Sequence, residues 1–92
     1  MKYLVFPLAL MASQATAQEA CMPRELAVPF LAETYGERQQ IIAMTADGLF
    51  IEVYANAAGG WTLIGTTPDG MSCMLGHGQN FEIIAEPLGR DG

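Results

Sequence analysis

The spacing of hydrophobic positions along this chain changes near Gly36. Before it, Leu26, Ala27, Phe30 and Leu31 recur at helical spacing, and Tyr35 continues the stripe four residues after Leu31. Pro23 suits the first turn of a helix, where its missing N–H costs nothing. Gly36 suits the position just past the end. The pattern predicts one amphipathic helix over residues 23–35, bent or interrupted near Val28 because Pro29 removes a hydrogen bond from its interior. After Gly36 the runs are short and β-branched. Residues 39–45, 49–54, 61–67 and 71–76 read as strands, parted by Asp47-Gly48, a looser turn at Asn56 to Gly60, and the compact turn Pro68-Asp69-Gly70.

Strands that recur about every ten residues with turns between them predict an antiparallel meander. The expected fold class is therefore α+β, with one N-terminal helix packed on a four-stranded meander. Alternation in the second strand sets Leu49, Ile51 and Val53 on one face and Phe50, Glu52 and Tyr54 on the other. Residues 77–86 are expected to form a short last strand or a helical turn, with Phe81, Ile83 and Ile84 packing back on the domain. Residues 88–92 read as a flexible tail.

The first 17 residues follow a different logic. Lys2 gives a positive start, Tyr3 to Ala12 is an almost unbroken apolar run, and Ala15-Thr16-Ala17 supplies small residues for cleavage before Gln18. This is the layout of a secretory signal peptide, and the run falls short of the ~20 residues a membrane span needs. The expected organisation is a signal peptide over 1–17, a small domain over 18–87 and a tail, in a periplasmic or secreted protein. Cys21 does not follow the apolar run directly, and Gln18-Glu19 stand where a lipobox needs Leu and small residues, which argues against a lipoprotein.

Cleavage also removes the only lysine. Arg24, Arg38 and Arg90 then face ten acidic residues, a net charge of −7 against −6 for the whole chain. That balance argues against nucleic acid and anionic membrane as partners, since both reward positive surface. An exported chain of this size has a marginal core, so its two cysteines, Cys21 and Cys73, read as one disulfide. In the chain-entropy description, closing a loop of that length contributes about 4 kcal/mol. The bond would pin the start of the helix to the last strand, with Cys73 facing the helix beside Met71 and Leu75.

Candidate chemistry is sparse. The chain has no phosphate-binding glycine loop, no G-x-S-x-G elbow and no H-E-x-x-H pair. His77, the one histidine, stands between glycines in a turn-like context. Glu33, Glu37, Glu52 and Asp69 are dispersed and most are expected to be solvated, while Asp47 and Asp69 have a sufficient role before turn glycines. Met71, Cys73, Met74 and His77 crowd together with donors that suit copper. However, Met71 and Met74 point to opposite faces of a strand, and Cys73 belongs to the disulfide. No catalytic residue, cofactor or metal site is expected. The remaining candidate is a binding surface of Phe50, Tyr54, Thr62 and Ile64, joined by Met74, on the sheet face away from the helix. Either a partner or the segment around Phe81 would cover it.

Three stretches carry a family resemblance: Leu31-Ala32-Glu33-Thr34-Tyr35-Gly36-Glu37, Gly60-Trp61-Thr62 and Pro68-Asp69-Gly70-Met71-Ser72-Cys73. Across Cys21 to Pro87 the chain resembles a group of small, uncharacterised exported proteins of Gram-negative bacteria. The resemblance implies a periplasmic compartment and a shared fold, and brings no catalytic residues. The function expected is that of a non-catalytic, disulfide-stapled domain binding a protein or peptide. The alternative is a small inhibitor of a cell-wall-active or secreted enzyme, similar in size, acidity and disulfide to periplasmic lysozyme inhibitors. That reading requires a protruding loop at Asn56 to Gly60 or Pro68 to Gly70.

Overall fold

One helix and five strands follow each other in the order β1 (Cys21–Pro23), α1 (Arg24–Tyr35), β2 (Arg38–Met44), β3 (Phe50–Ala55), β4 (Trp61–Thr66) and β5 (Met71–Gly78). This is a computed structural model that describes residues 20–89. The expected signal peptide, with the cleavage residues Ala17 and Gln18, lies outside the described residues. All strands join one antiparallel sheet in the order β1-β5-β4-β3-β2. The protein is therefore mostly β, and the expected layout of a helix on a four-stranded meander is corrected to five strands and one short helix. The missed strand is β1. It has three residues and ends in a proline, so no local pattern marks it. Its extended form comes from pairing with β5, where Cys21 lies opposite Cys73.

The three hairpin connections share one plan. In each, a Thr or Asn opens the turn, and a glycine with φ between 93° and 99° closes it: Gly48, Gly59 and Gly70. The glycine N–H donates to the opening residue's carbonyl, at 3.0 Å for Thr45, 3.0 Å for Asn56 and 2.8 Å for Thr67. This is a type I turn followed by a left-handed residue, a common three-residue hairpin. Asn56 to Gly60 is thus as tight as the other two turns, because the Asn56 Oδ1 accepts from the N–H groups of Ala58 and Gly60.

The helix starts one residue later than expected, at Arg24, and runs through Pro29 without a break in its assignment. It ends at Tyr35, and Gly36 caps it with a φ of 68°, which turns the chain so that the Glu37 N–H reaches back to the Leu31 carbonyl. Leu31 packs on Tyr54 and Ile64 with Val28 alongside, which fixes the covered face of the sheet. Ile64 pairs with Met74, so the adjacent Cys73 must point the other way. The Cys21–Cys73 disulfide therefore forms, but on the face opposite the helix. Cys73, Met71 and Leu75 therefore face away from α1, contrary to the expectation from alternation.

That opposite face carries Ile51, Val53, Leu63 and the Trp61 indole, which lies across Gly76 and Gly78. Side chains at Gly78 would meet the ring at 3.1 Å. His77 and Gly78 close β5, and residues 79–89 have no regular secondary structure. Phe81 is half-buried and donates its N–H to the Gly59 carbonyl. Ile83 and Ile84 are 69% and 73% exposed, so they do not pack back as expected. The segment returns to the Gly59 turn and lies near Arg38, Gln40 and Ala55, while Ile51, Val53, Trp61 and Leu63 stay half-buried.

Candidate functional site

Two features lie beneath the helix, and sequence pattern gives neither a role. The first is built on Glu52, which is 0% exposed in the middle of β3. Arg24, the first helical residue, reaches it with two nitrogens: Nε to Oε1 at 3.0 Å and Nη2 to Oε2 at 2.7 Å. Gln39 Nε2 and the Tyr54 hydroxyl also donate to Oε2, at 2.7 and 2.8 Å. Burial alone would raise the Glu52 carboxyl. The bonds from Arg24, Tyr54 and Gln39 outweigh it and hold the group below its ordinary value. The Arg24 guanidinium is raised in turn, first by its hydrogen bond to Glu52. Burial, and then the Glu52 bond, push the Tyr54 hydroxyl up. This cluster fastens the helix start to β2 and β3.

The second feature is a cleft of about 480 Å³ between α1 and the β4–β5 half of the sheet. Ala27, Phe30 and Leu31 form its helical wall, while Thr62, Ile64 and Met74 form its floor. Phe30 and Tyr35 meet edge to face at 5.9 Å, and they stay 43% and 52% exposed at the rim. His77 and Asn56 also line the opening. Asn56 ties the turn after β3 to the end of α1 by donating its Nδ2 to the Tyr35 carbonyl at 2.8 Å.

At that end stands Glu37. It is 5% exposed and lines the cleft, and its Oε1 accepts no hydrogen bond from any described residue. The backbone explains its place: Gly36 turns the chain in the left-handed region, and the Glu37 N–H then donates to the Leu31 carbonyl at 3.1 Å. The side chain is thereby drawn under the helix terminus. Negative charge there opposes the helix dipole, whose C-terminal end is itself negative.

The four residues expected to form an open binding surface do share one face, but it is the face beneath the helix. Tyr54 and Ile64 are core residues packed on Leu31. Phe50 is half-buried under the Arg24 guanidinium, 5.8 Å from ring centroid to carbon. Thr62 and Ile64 reach the cleft floor, where Met74 joins them. The reading failed because both rows of β3 are apolar enough to serve as a core. Arg24 neutralises Glu52 and so lets the row with the carboxylate be the buried one. Of the copper-type donors, Met71 lies opposite Pro23 and Met74 opposite Ile64, on different faces. Among the described residues no three His, Cys, Asp or Glu side chains group as a metal site. Asn56 to Gly60 and Pro68 to Gly70 are tight hairpin turns rather than protruding loops.

Compared with known families, curated proteins and solved structures, the chain gives no match to any of the three. The functional argument accordingly rests on the geometry of the cleft.

Proposed function

We propose that this protein is an exported, non-catalytic binding domain that takes a short segment of a peptide or protein into the cleft between α1 and β4–β5. The observation that carries the reading is the cleft itself. It has the volume of a ligand site, apolar walls, and a few polar groups gathered at one end, which is the usual composition of a site that binds rather than one that only packs. Exposed aromatic rings at the rim, Phe30 and Tyr35, are the kind of residues on which binding energy concentrates. Two observations favour binding over catalysis. His77 sits exposed at the opening, oriented by no hydrogen bond to a described residue, and the Glu52 carboxylate is fully engaged. The disulfide fits an oxidising compartment, which agrees with the signal-peptide pattern of the first 17 residues.

The test is selection of displayed peptides against the immobilised domain, followed by two variants. Met74→Trp places bulk on the cleft floor, and Ile42→Arg alters the exposed flank on β2. Selected peptides should lose binding to Met74→Trp and keep it to Ile42→Arg. Peptides indifferent to Met74→Trp would place recognition elsewhere and end this reading.

A further inference from the structure

We infer that the cleft takes an ammonium group carried on an aliphatic stem, the side chain of a lysine in the bound segment, with Glu37 as its counter-ion. The inference rests on the cleft being the binding site and adds the chemistry of what enters it. Glu37 is 5% exposed and its Oε1 is buried with no donor among the described residues, so folding has desolvated that oxygen without compensation. Its surroundings deepen the need. Glu37 lies two residues beyond the end of α1, whose last turn holds no basic residue and does hold Glu33. The potential at that end of the cleft is negative from the helix dipole as well as from charge.

The cations among the described residues do not meet the need. Among the described residues the arginines are Arg24 and Arg38. Arg24 is committed to Glu52. Arg38 is exposed and pairs with Ala55 in the edge of the sheet. A metal ion is a poor substitute, since no three ligating side chains converge among the described residues. An anion would be repelled. The rest of the cleft selects the stem. Leu31, Ile64 and Met74 offer apolar contact to methylene groups, and a lysine stem buries along such surfaces while its head seeks a charge. The Phe30 and Tyr35 rings at the rim add attraction for a passing cation.

The experiment is an NMR titration of the ¹⁵N-labelled oxidised protein with four probes: n-hexylammonium, n-hexanol, acetyl-Leu-Lys-Leu-amide and acetyl-Leu-Gln-Leu-amide. The two peptides and the two small molecules separate a side chain in a segment from a free amine. The lysine peptide and hexylammonium should shift the amides of Leu31, Glu37, Thr62 and Met74 saturably, with the peptide the tighter. Each should bind at least about tenfold better than its neutral counterpart, as expected for a charge-assisted bond in a desolvated site. Glu37→Gln, which keeps shape and removes charge, should erase that preference while its own spectrum stays dispersed. Phe30→Ala, at an exposed position, should weaken charged and neutral probes together.

Equal binding of charged and neutral probes in the cleft, or an unchanged preference in Glu37→Gln, would overturn the counter-ion and leave the binding reading standing. Hexylammonium tighter than the lysine peptide would overturn the lysine assignment in favour of a free amine. No saturable shift of cleft amides with any probe would overturn the inference, and failure of the peptide selection as well would remove the binding reading with it.

Discussion

Replacing Arg24 with Ala tests how the helix is held, and the cost can be worked from the geometry. The substitution removes two of the four donors from a carboxylate with no exposed surface. Breaking one side of a buried ion pair costs about 3–5 kcal/mol, because the remaining charge is left desolvated. Gln39 and Tyr54 still donate to Glu52, and the Arg24 side chain is itself 40% exposed, so the lower end applies, about 3 kcal/mol. For a domain of this size each kcal/mol shifts the melting temperature by about 4–8 °C, so Arg24→Ala should melt roughly 12–24 °C below the parent at pH 7. Circular dichroism melts measure this directly. A double-mutant cycle isolates the pair: in a Glu52→Gln background, Arg24→Ala should cost less than about 1 kcal/mol. A shift under about 3 °C for Arg24→Ala, or an equal cost in both backgrounds, would refute the clasp.

Other expectations follow from single features. Because the Glu52 carboxyl is lowered on folding, its contribution is complete above the unfolded carboxyl range and is lost as pH falls through the folded value; the acid limb of stability against pH should therefore be shallower in Glu52→Gln. The Tyr54 hydroxyl is raised, so its contribution holds below about pH 10 and is lost as pH climbs through its folded value, which Tyr54→Phe should abolish in alkaline titrations. Cys73→Ser should lower stability by about 4 kcal/mol in chemical denaturation of oxidised protein. Since Cys21 is exposed, the bond should also be reduced by dithiothreitol without denaturant, and resistance until unfolding would contradict the placement. Pro29 is exposed within a helix and its nitrogen cannot donate to the Glu25 carbonyl, so Pro29→Ala should stabilise by about 1–3 kcal/mol, read by urea unfolding.

The parts of the fold that were legible in sequence are those determined within a few residues. Thr67-Pro68-Asp69-Gly70 and Thr45-Ala46-Asp47-Gly48 carry their turn chemistry locally, so β2 to β5 were found within one or two residues of their observed ends. The helix was marked in the same way by the spacing of Ala27 and Leu31 and by Gly36. What was illegible depends on distant partners. The strand form of Cys21–Pro23 exists because β5 lies beside it. The choice of covered face depends on Arg24 meeting Glu52 across 28 residues. The cleft depends on where α1 comes to rest. Glu37 did leave a trace: an acid directly after a left-handed helix cap runs against the dipole, and such an anomaly marks a residue kept for something other than the helix.

The Cys21–Cys73 bond also makes most of the molecule a covalent ring. All of α1, β2, β3 and β4 lies between the two half-cystines, as do the three hairpin turns. A protease cutting at Ala46, Ala57 or Pro68, each at an exposed turn position, would open the ring without parting it, and the nicked chain would stay one covalently joined molecule until reduced. The segment after Gly78 lies outside the ring. A single cut there releases its fragment at once, so the order in which pieces appear on reducing and non-reducing gels maps the boundary between the tied and the trailing chain.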